Sequence, residues 1–283
     1  RQEAKIVEAI NTSGADVVGL MEIENNGYGE ESALAALVNA LNADALDKGI
    51  TDVTWAYSIT RDADENEVSP GDDAISVGII YNSQAVTPVG SAVTKTDGAF
   101  ATANRAPVMQ TFEDNDGAEF SVVVNHFKSK GSVVNGENAI GDGQANNNPT
   151  RVEAAEELKA WLETNPTGST DSDVLILGDL NSYAMEDPIT ALKNAGFELL
   201  DDEYSYVFDG FWGSLDHALA SETLARQVTG TTTWHINADE ASALDYNTDF
   251  TNDRQDDNLY AEDAFRSSDH DPILVGLNLV PEV

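Results

Sequence analysis

The sequence predicts a layered α/β sandwich in a single domain spanning 1–283. Three observations carry this. Short apolar runs alternate with helical periodicities throughout, strands outnumber the helices between them, and no stretch has the composition of an interdomain linker. A length of 283 residues allows one large domain, and 41% hydrophobic residues supply a sizeable core.

Val7 and Ile10 mark the core face of a first helix, and Asp16–Met21 then reads as a buried strand. Ser32 is the expected N-cap of a helix with Leu34, Leu37, Val38 and Leu41 on one face. Strands are expected at Thr54–Ile59 and Ile75–Tyr81. Val108–Phe112 and Phe120–Asn125 flank Asp114-Asn-Asp-Gly117, which is hairpin chemistry. Thr150 and Glu153 read as a capping box for a helix carrying Ala155, Leu158 and Leu162. Asp173–Gly178 is a buried strand, Asp187-Pro188 starts the next helix and Gly196 ends it. Thr229–Trp234 and Ile273–Leu279 complete the strands. Arg61–Asp73, Gly131–Pro149 and Asn237–Asp263 read as loops.

The charge narrows the class. Lys and Arg number 14 against 51 Asp and Glu, a formal −37. Such an excess suits a salty exterior, where counter-ions screen self-repulsion. No run of roughly 18 apolar residues exists to span a bilayer. Cysteine is absent, which excludes disulfides and thiolate chemistry. The opening Arg1-Gln-Glu-Ala-Lys5 reads as mid-helix, so a segment upstream is expected.

Polar groups recur where apolar runs stop. Glu22 follows the first strand, Asn125-His126 another, and Asp179-Leu-Asn181 a third. Asp216-His217 precedes Ala-Leu-Ala, and Ser268-Asp269-His270 precedes the last strand. Glu22, Asp179, Asn181 and Asp269 are hard oxygen donors suited to Mg²⁺, Mn²⁺ or Ca²⁺. An ion with two imidazoles, His126 and His270, is what phosphodiester hydrolysis needs. Each piece also has a plain reading: Glu22 as a surface or capping residue, Gly-Asp-Leu-Asn and Asp269-His-Asp-Pro272 as turns, and His217 and His235 as packing or solvent residues. Their joint occurrence at strand ends tips the balance.

Together these residues resemble the endonuclease/exonuclease/phosphatase (DNase I-like) superfamily. Gly19-Leu-Met-Glu22, Asn104-Arg-Ala-Pro107, Asn125-His126, Gly178-Asp-Leu-Asn181, Ser214-Leu-Asp216 and Ser268-Asp-His270 match its motifs in family order. Met21–Gly29, Asn125–Gly131 and Trp234–Glu240 resemble secreted bacterial extracellular nucleases of the ExeM type. The resemblance implies a four-layer αββα sandwich, two packed mixed sheets flanked by helices, with the family's first strand missing from this chain. It implies Glu22 as principal metal ligand, with Asp179, Asn181 and Asp269 binding metal or positioning phosphate and water. His270 supported by Asp216 would be the general base, the family also offering Asp179, and His126 the second acid/base group. Arg105, Asn125, Lys128 and Arg266 would contact substrate. Asp73 is the candidate for orienting His126.

The expected function is a secreted, divalent-metal-dependent endonuclease that hydrolyses extracellular DNA (RNA being the other nucleic-acid substrate) with little sequence preference. Mg²⁺ or Mn²⁺ would be the cofactor, with Ca²⁺ a second or structural ion. Net charge opposes DNA, but Arg105, Lys128, Lys130, Arg151 and Arg266 lie in or beside the motifs, which suggests a cationic groove in an acidic shell. Asp62–Asp73 faintly matches a calcium loop, with Glu67 where the turn needs Gly; a solvated loop is the better reading. The rivals are a same-fold phosphodiesterase or phosphatase on a lipid or inositol phosphate, and a non-enzymatic acidic Ca²⁺-binding surface module. No exposed apolar hairpin for membrane insertion is evident in the sequence, which favours nucleic acid.

Overall fold

Two β-sheets packed face to face form the middle of the computed structural model, which describes residues 1–201, 203–249 and 251–281. In chain order the elements are α1 (Gln2–Ser13), β1 (Val17–Glu24), α2 (Ala33–Lys48), β2 (Trp55–Tyr57), β3 (Ile75–Asn82), β4 (Val86–Thr94), β5 (Val108–Asp114), β6 (Glu119–His126), α3 (Asn148–Leu162), β7 (Val174–Asp179), α4 (Asp187–Asn194), β8 (Glu198–Leu199), β9 (Tyr206–Phe208), β10 (Phe211–Gly213), β11 (Asp216–Ala220), α5 (Glu222–Ala225), β12 (Val228–Thr233), α6 (Asp253–Leu259) and β13 (Ile273–Leu277). One sheet runs β4-β5-β6-β7-β11-β8; opposite it lie β1-β3-β2 and the pair β12-β13.

The layers follow from which side chains each element buries. Helices α1 and α2 set Val7, Ile10, Leu34, Val38 and Leu41 against Val18, Leu20 and Ile80. Val77, Ile79, Phe112, Phe120, Val122 and Val124 fill the space between the sheets. Helices α3 and α4 cover the far side, packing Ala154, Leu158, Ile189 and Leu192 on Val123, Ile176 and Leu219. Each such fully buried large side chain contributes about 1.5–3 kcal/mol. The result is the α/β/β/α layering expected from the motifs.

Several local expectations need correction. The Thr150–Glu153 capping box does not form. Pro149 in the first turn starts α3 three residues earlier, with Asn147 as N-cap, and the Thr150 backbone N–H donates to Glu137 Oε2 at 3.0 Å instead. β4 went unread because Pro88 and Gly90 interrupt its pattern, and as an edge strand it tolerates both. The long acidic loop contains α6, opened by a capping box between Asn252 and Gln255; Phe250, in the same loop, lies outside the described residues.

The β9–β10 hairpin also contradicts the expectation that no exposed apolar hairpin is present. Asp209 and Gly210 both have positive φ, 50° and 81°, the two-residue turn that matches strand twist. Phe208, Phe211 and Trp212 are 64%, 76% and 68% exposed on it. Elsewhere, β1 and β13 each leave one edge unpaired among the described residues. A cleft of about 560 Å³ runs between them, lined by Val17, Phe120, Val122, Leu175, Leu277 and Leu279 among others, and holds none of the candidate catalytic residues.

Candidate active site

Three adjacent strands set the polar groups in a row. β6 and β7 are parallel, β7 and β11 antiparallel, and their register places His126 abreast of Asp179 and Asp179 abreast of Asp216. Residues opposite one another share a face. Val122 and Val124 of β6 point between the sheets, so by alternation His126 does too, and the two aspartates with it. The row therefore lies at the rim of the inter-sheet layer. Gly178 makes this close pairing possible: at φ 134°, a Cβ there would stand 2.0 Å from the Asn125 carbonyl oxygen.

The chain's end completes the row. His270 Nδ1 lies 2.6 Å from Asp216 Oδ2, leaving Nε2 as the ring atom able to reach water. Ser205 Oγ donates to the same Asp216 oxygen at 2.7 Å, and Tyr206 stacks on the His270 ring at 4.4 Å. The pairing with Asp216, beside the fields of Asp179 and Asp269, outweighs burial and raises the imidazole to about 9. Ser268 Oγ accepts from the His270 backbone N–H at 3.2 Å. Ser205 and Tyr206 were not legible as site residues, because they sit on a segment whose strand pattern is only three residues long.

Asp179 is the most perturbed acid. Burial pushes its carboxyl up to about 7, reinforced by the neighbouring charges of Asp216 and Glu22 and opposed by His270 and the Asn181 N–H. Asn181 braces it with a backbone N–H at 2.8 Å and a side-chain N–H at 3.0 Å, from a left-handed φ of 48° that asparagine tolerates. His126 Nε2 is 3.6 Å from Asp179 Oδ2. Burial, then the Arg105 charge, holds that imidazole down near 4, so it is neutral.

Glu22 sits inside β1 rather than after it. Strict alternation would turn Glu22 toward the helices with Val18 and Leu20. A bulge between Leu20 and Ile23 intervenes, Glu22 adopts φ 59°, and Ile23 takes the helix-facing position. The bulge re-aims the side chain, and the Glu22 charge now bears on Asp179.

The other sequence candidates divide. Asp269 is exposed beside His270 and adds to its field. Arg105 Nε stands 3.1 Å from Asp73 Oδ2, so Asp73 pairs with Arg105 and not with His126, whose Nδ1 has no hydrogen-bond partner among the described residues. Lys128 Nζ reaches only the Ser129 hydroxyl, at 3.3 Å, among the described residues. Asn125 is fully buried on the helix-facing side of β6, its amide donating to the Val123 carbonyl at 3.2 Å. Arg266 donates to the Asn237 carbonyl at 2.6 Å and lies 3.7 Å from Asp245. The broad cationic groove does not form. Lys130 is paired with Glu186 at 2.6 Å, and Arg151, 0% exposed, donates to the carbonyls of Lys128, Asn146 and Gln144. Those two cations hold the loop that follows β6.

His217 faces away from its neighbour Asp216, as alternation requires. Both its ring nitrogens are engaged, Nδ1 with Asp201 Oδ2 at 2.9 Å and Nε2 with the Ser182 carbonyl at 2.7 Å, so both must donate and the ring is a cation. Burial opposes that charge, but the Asp201 contact raises the imidazole above its usual 6.5. The sign follows. The pair's stabilisation is whole below pH 6.5 and fades as pH rises through the raised folded value. Asp201→Asn is expected to cost about 3–5 kcal/mol, as for one partner lost from a buried pair. Melting temperatures of the two proteins should differ most at acid pH and converge at alkaline pH; a gap independent of pH would remove the ion pair from the account. His235 is likewise anchored, with Nδ1 2.9 Å from Asp271 Oδ2, while Asp271 Oδ1 accepts from the backbone N–H groups of Ile236, Asn237 and Ala238.

The donor set suits a loosely held hard cation. Among the described residues no three His, Asp or Glu side chains stand close enough to cage an ion. Mg²⁺, however, keeps several waters and takes one or two carboxylates plus substrate phosphate oxygens. Glu22 and Asp179, whose charges already bear on each other, and the Asn181 amide oxygen fit that mode.

Comparison with known proteins agrees with the fold. The model of the endonuclease/exonuclease/phosphatase family matches residues 1–270. An endonuclease/exonuclease/phosphatase family protein from Bacteroides thetaiotaomicron shares the fold at TM-score 0.59 and 15% identity, over 97% of this chain and 87% of that one. A mannosyl-6-phosphatase of the same organism gives TM-score 0.60 and 15% identity over 98% and 91%. TDP2 of D. rerio, complexed with single strand DNA product, gives 0.52 and 13% over 96% and 90%. No curated protein matches the sequence.

Proposed function

The chain belongs to the endonuclease/exonuclease/phosphatase family, whose members hydrolyse phosphoester bonds, and from that premise we propose that it is a secreted, divalent-metal-dependent nuclease acting on extracellular DNA. The observation that carries the reading is the register row His126–Asp179–Asp216, with His270 bonded onto its end. The ExeM-like strings and the −37 charge support the extracellular assignment.

Each group then has a task. Asp216 fixes the His270 tautomer and stabilises its charged form, so that Nε2 faces the attacking water and removes its proton. Ser205 keeps Asp216 in place. His126 holds its neutral ring at the opposite side of Asp179, positioned toward the leaving oxygen. Arg105 and Lys128, beside His126 at the end of β6, meet the phosphate. Glu22, Asp179 and Asn181 would hold Mg²⁺ or Mn²⁺, which when bound neutralises charge on the phosphoryl oxygens and offsets the acidic field that keeps His270 protonated.

Incubation with supercoiled plasmid tests this directly. Nicking is expected with Mg²⁺, none with excess EDTA, and little by His270→Ala. Rapid phosphate release from mannose 6-phosphate without nicking would instead make the protein a phosphomonoesterase.

A further inference from the structure

The β9–β10 hairpin carries an aromatic face that the reaction as described does not use. Pairing sets Phe208 opposite Phe211 and Tyr206 opposite Gly213, so alternation puts Tyr206, Phe208 and Phe211 on one face. That face begins at the catalytic centre, since Tyr206 stacks on His270 at 4.4 Å, and runs outward to two exposed phenylalanine rings. The opposite face is braced. Trp212 stacks on Tyr204 at 5.3 Å, and Tyr204 on His235 at 4.0 Å, which in turn is held by Asp271. On the platform's own side Gly213, opposite Tyr206, leaves room for the Tyr183 ring, which a Cβ there would meet at 2.4 Å.

We infer that Phe208 and Phe211 form a stacking platform for unpaired bases of a nucleic-acid strand whose phosphate lies at His270. The inference rests on the nuclease reading and names how its substrate is held. Continuity with His270 puts the rings within a nucleotide or two of the scissile bond. Charge points the same way. No Lys or Arg occurs between Lys193 and Arg226, whereas Asp201, Glu203 and Asp209 crowd the segment. The hairpin cannot grip phosphates, and an anionic lipid surface would be repelled. Base faces are uncharged and stack on any planar ring. Three side chains burying at most about 150–250 Å² each fall short of the roughly 800 Å² per partner of a stable protein interface.

The test uses end-labelled strands of twelve thymidines and of twelve abasic spacers, bound with Mg²⁺ to His270→Ala protein so that cleavage is arrested. Adding Phe208→Ala and Phe211→Ala, both at exposed positions, should weaken the thymidine strand about tenfold or more and leave the abasic strand unchanged. Equal losses on both strands, or no loss on either, would overturn the platform. So would co-sedimentation with neutral phosphatidylcholine vesicles that the two substitutions abolish while strand binding stays intact. Plasmid nicking by the otherwise unaltered protein judges the nuclease reading separately.

Discussion

Glu22→Gly is expected to raise the melting temperature while removing the hydrolytic activity. Glu22 holds φ 59° in a bulge, a region glutamate enters only at a cost, and its charge presses on Asp179, which is already buried with Asp216 beside it. Glycine adopts that backbone freely, so roughly 1 kcal/mol or more should return to the folded state. For a chain of this size that is a rise of about 2 °C. Glu22→Ala also removes the charge but keeps the backbone strain, and should gain less than the glycine variant. Both variants lose the carboxylate proposed to hold the metal, so nicking should fall about 10²–10⁴-fold, the several kcal/mol such a contact supplies. Strain kept where only function needs it marks a working site. Unchanged melting of the glycine variant, or unchanged nicking, would separate the bulge from catalysis.

Asp216→Asn is expected to be at least as damaging and structurally mild. The amide keeps the shape and can still accept from Ser205, but it cannot stabilise a charged His270. When a carboxylate holding a catalytic imidazole becomes an amide, the loss reaches about 10⁴-fold. Asp179 should at the same time titrate lower, because one of the charges raising it is gone. Carbon-13-labelled aspartate read by NMR would show that shift. A variant with full activity would transfer the role of base away from His270.

Much of this arrangement was legible in the chain because chemistry sits where patterns stop. Asn125-His126, Gly178-Asp179 and Asp216 end or begin apolar runs, and parallel or antiparallel register does the rest. What escaped reading was what non-local contacts decide. Asp216 and His217 are adjacent, yet alternation sends one to the site and the other to Asp201, sixteen positions upstream. The fate of the cations was equally hidden, since only packing shows that Arg151 and Lys130 are consumed by carbonyls and Glu186. The Glu22 bulge leaves no mark in the local sequence, which shows only an acid where an apolar run stops. The Asp209-Gly210 turn, by contrast, was a readable hairpin signal, hidden by strands three residues long.

The most direct test of the whole account is the plasmid-nicking rate of the Glu22→Gly/Asp216→Asn double variant set against the two single ones. Groups serving one step are not additive: once one fails, the residual rate no longer passes through the other. The account predicts that the double variant falls little below the slower single variant. A loss equal to the product of the two single losses would mean that Glu22 and the Asp216–His270 pair act independently, contradicting a single site built across both sheets.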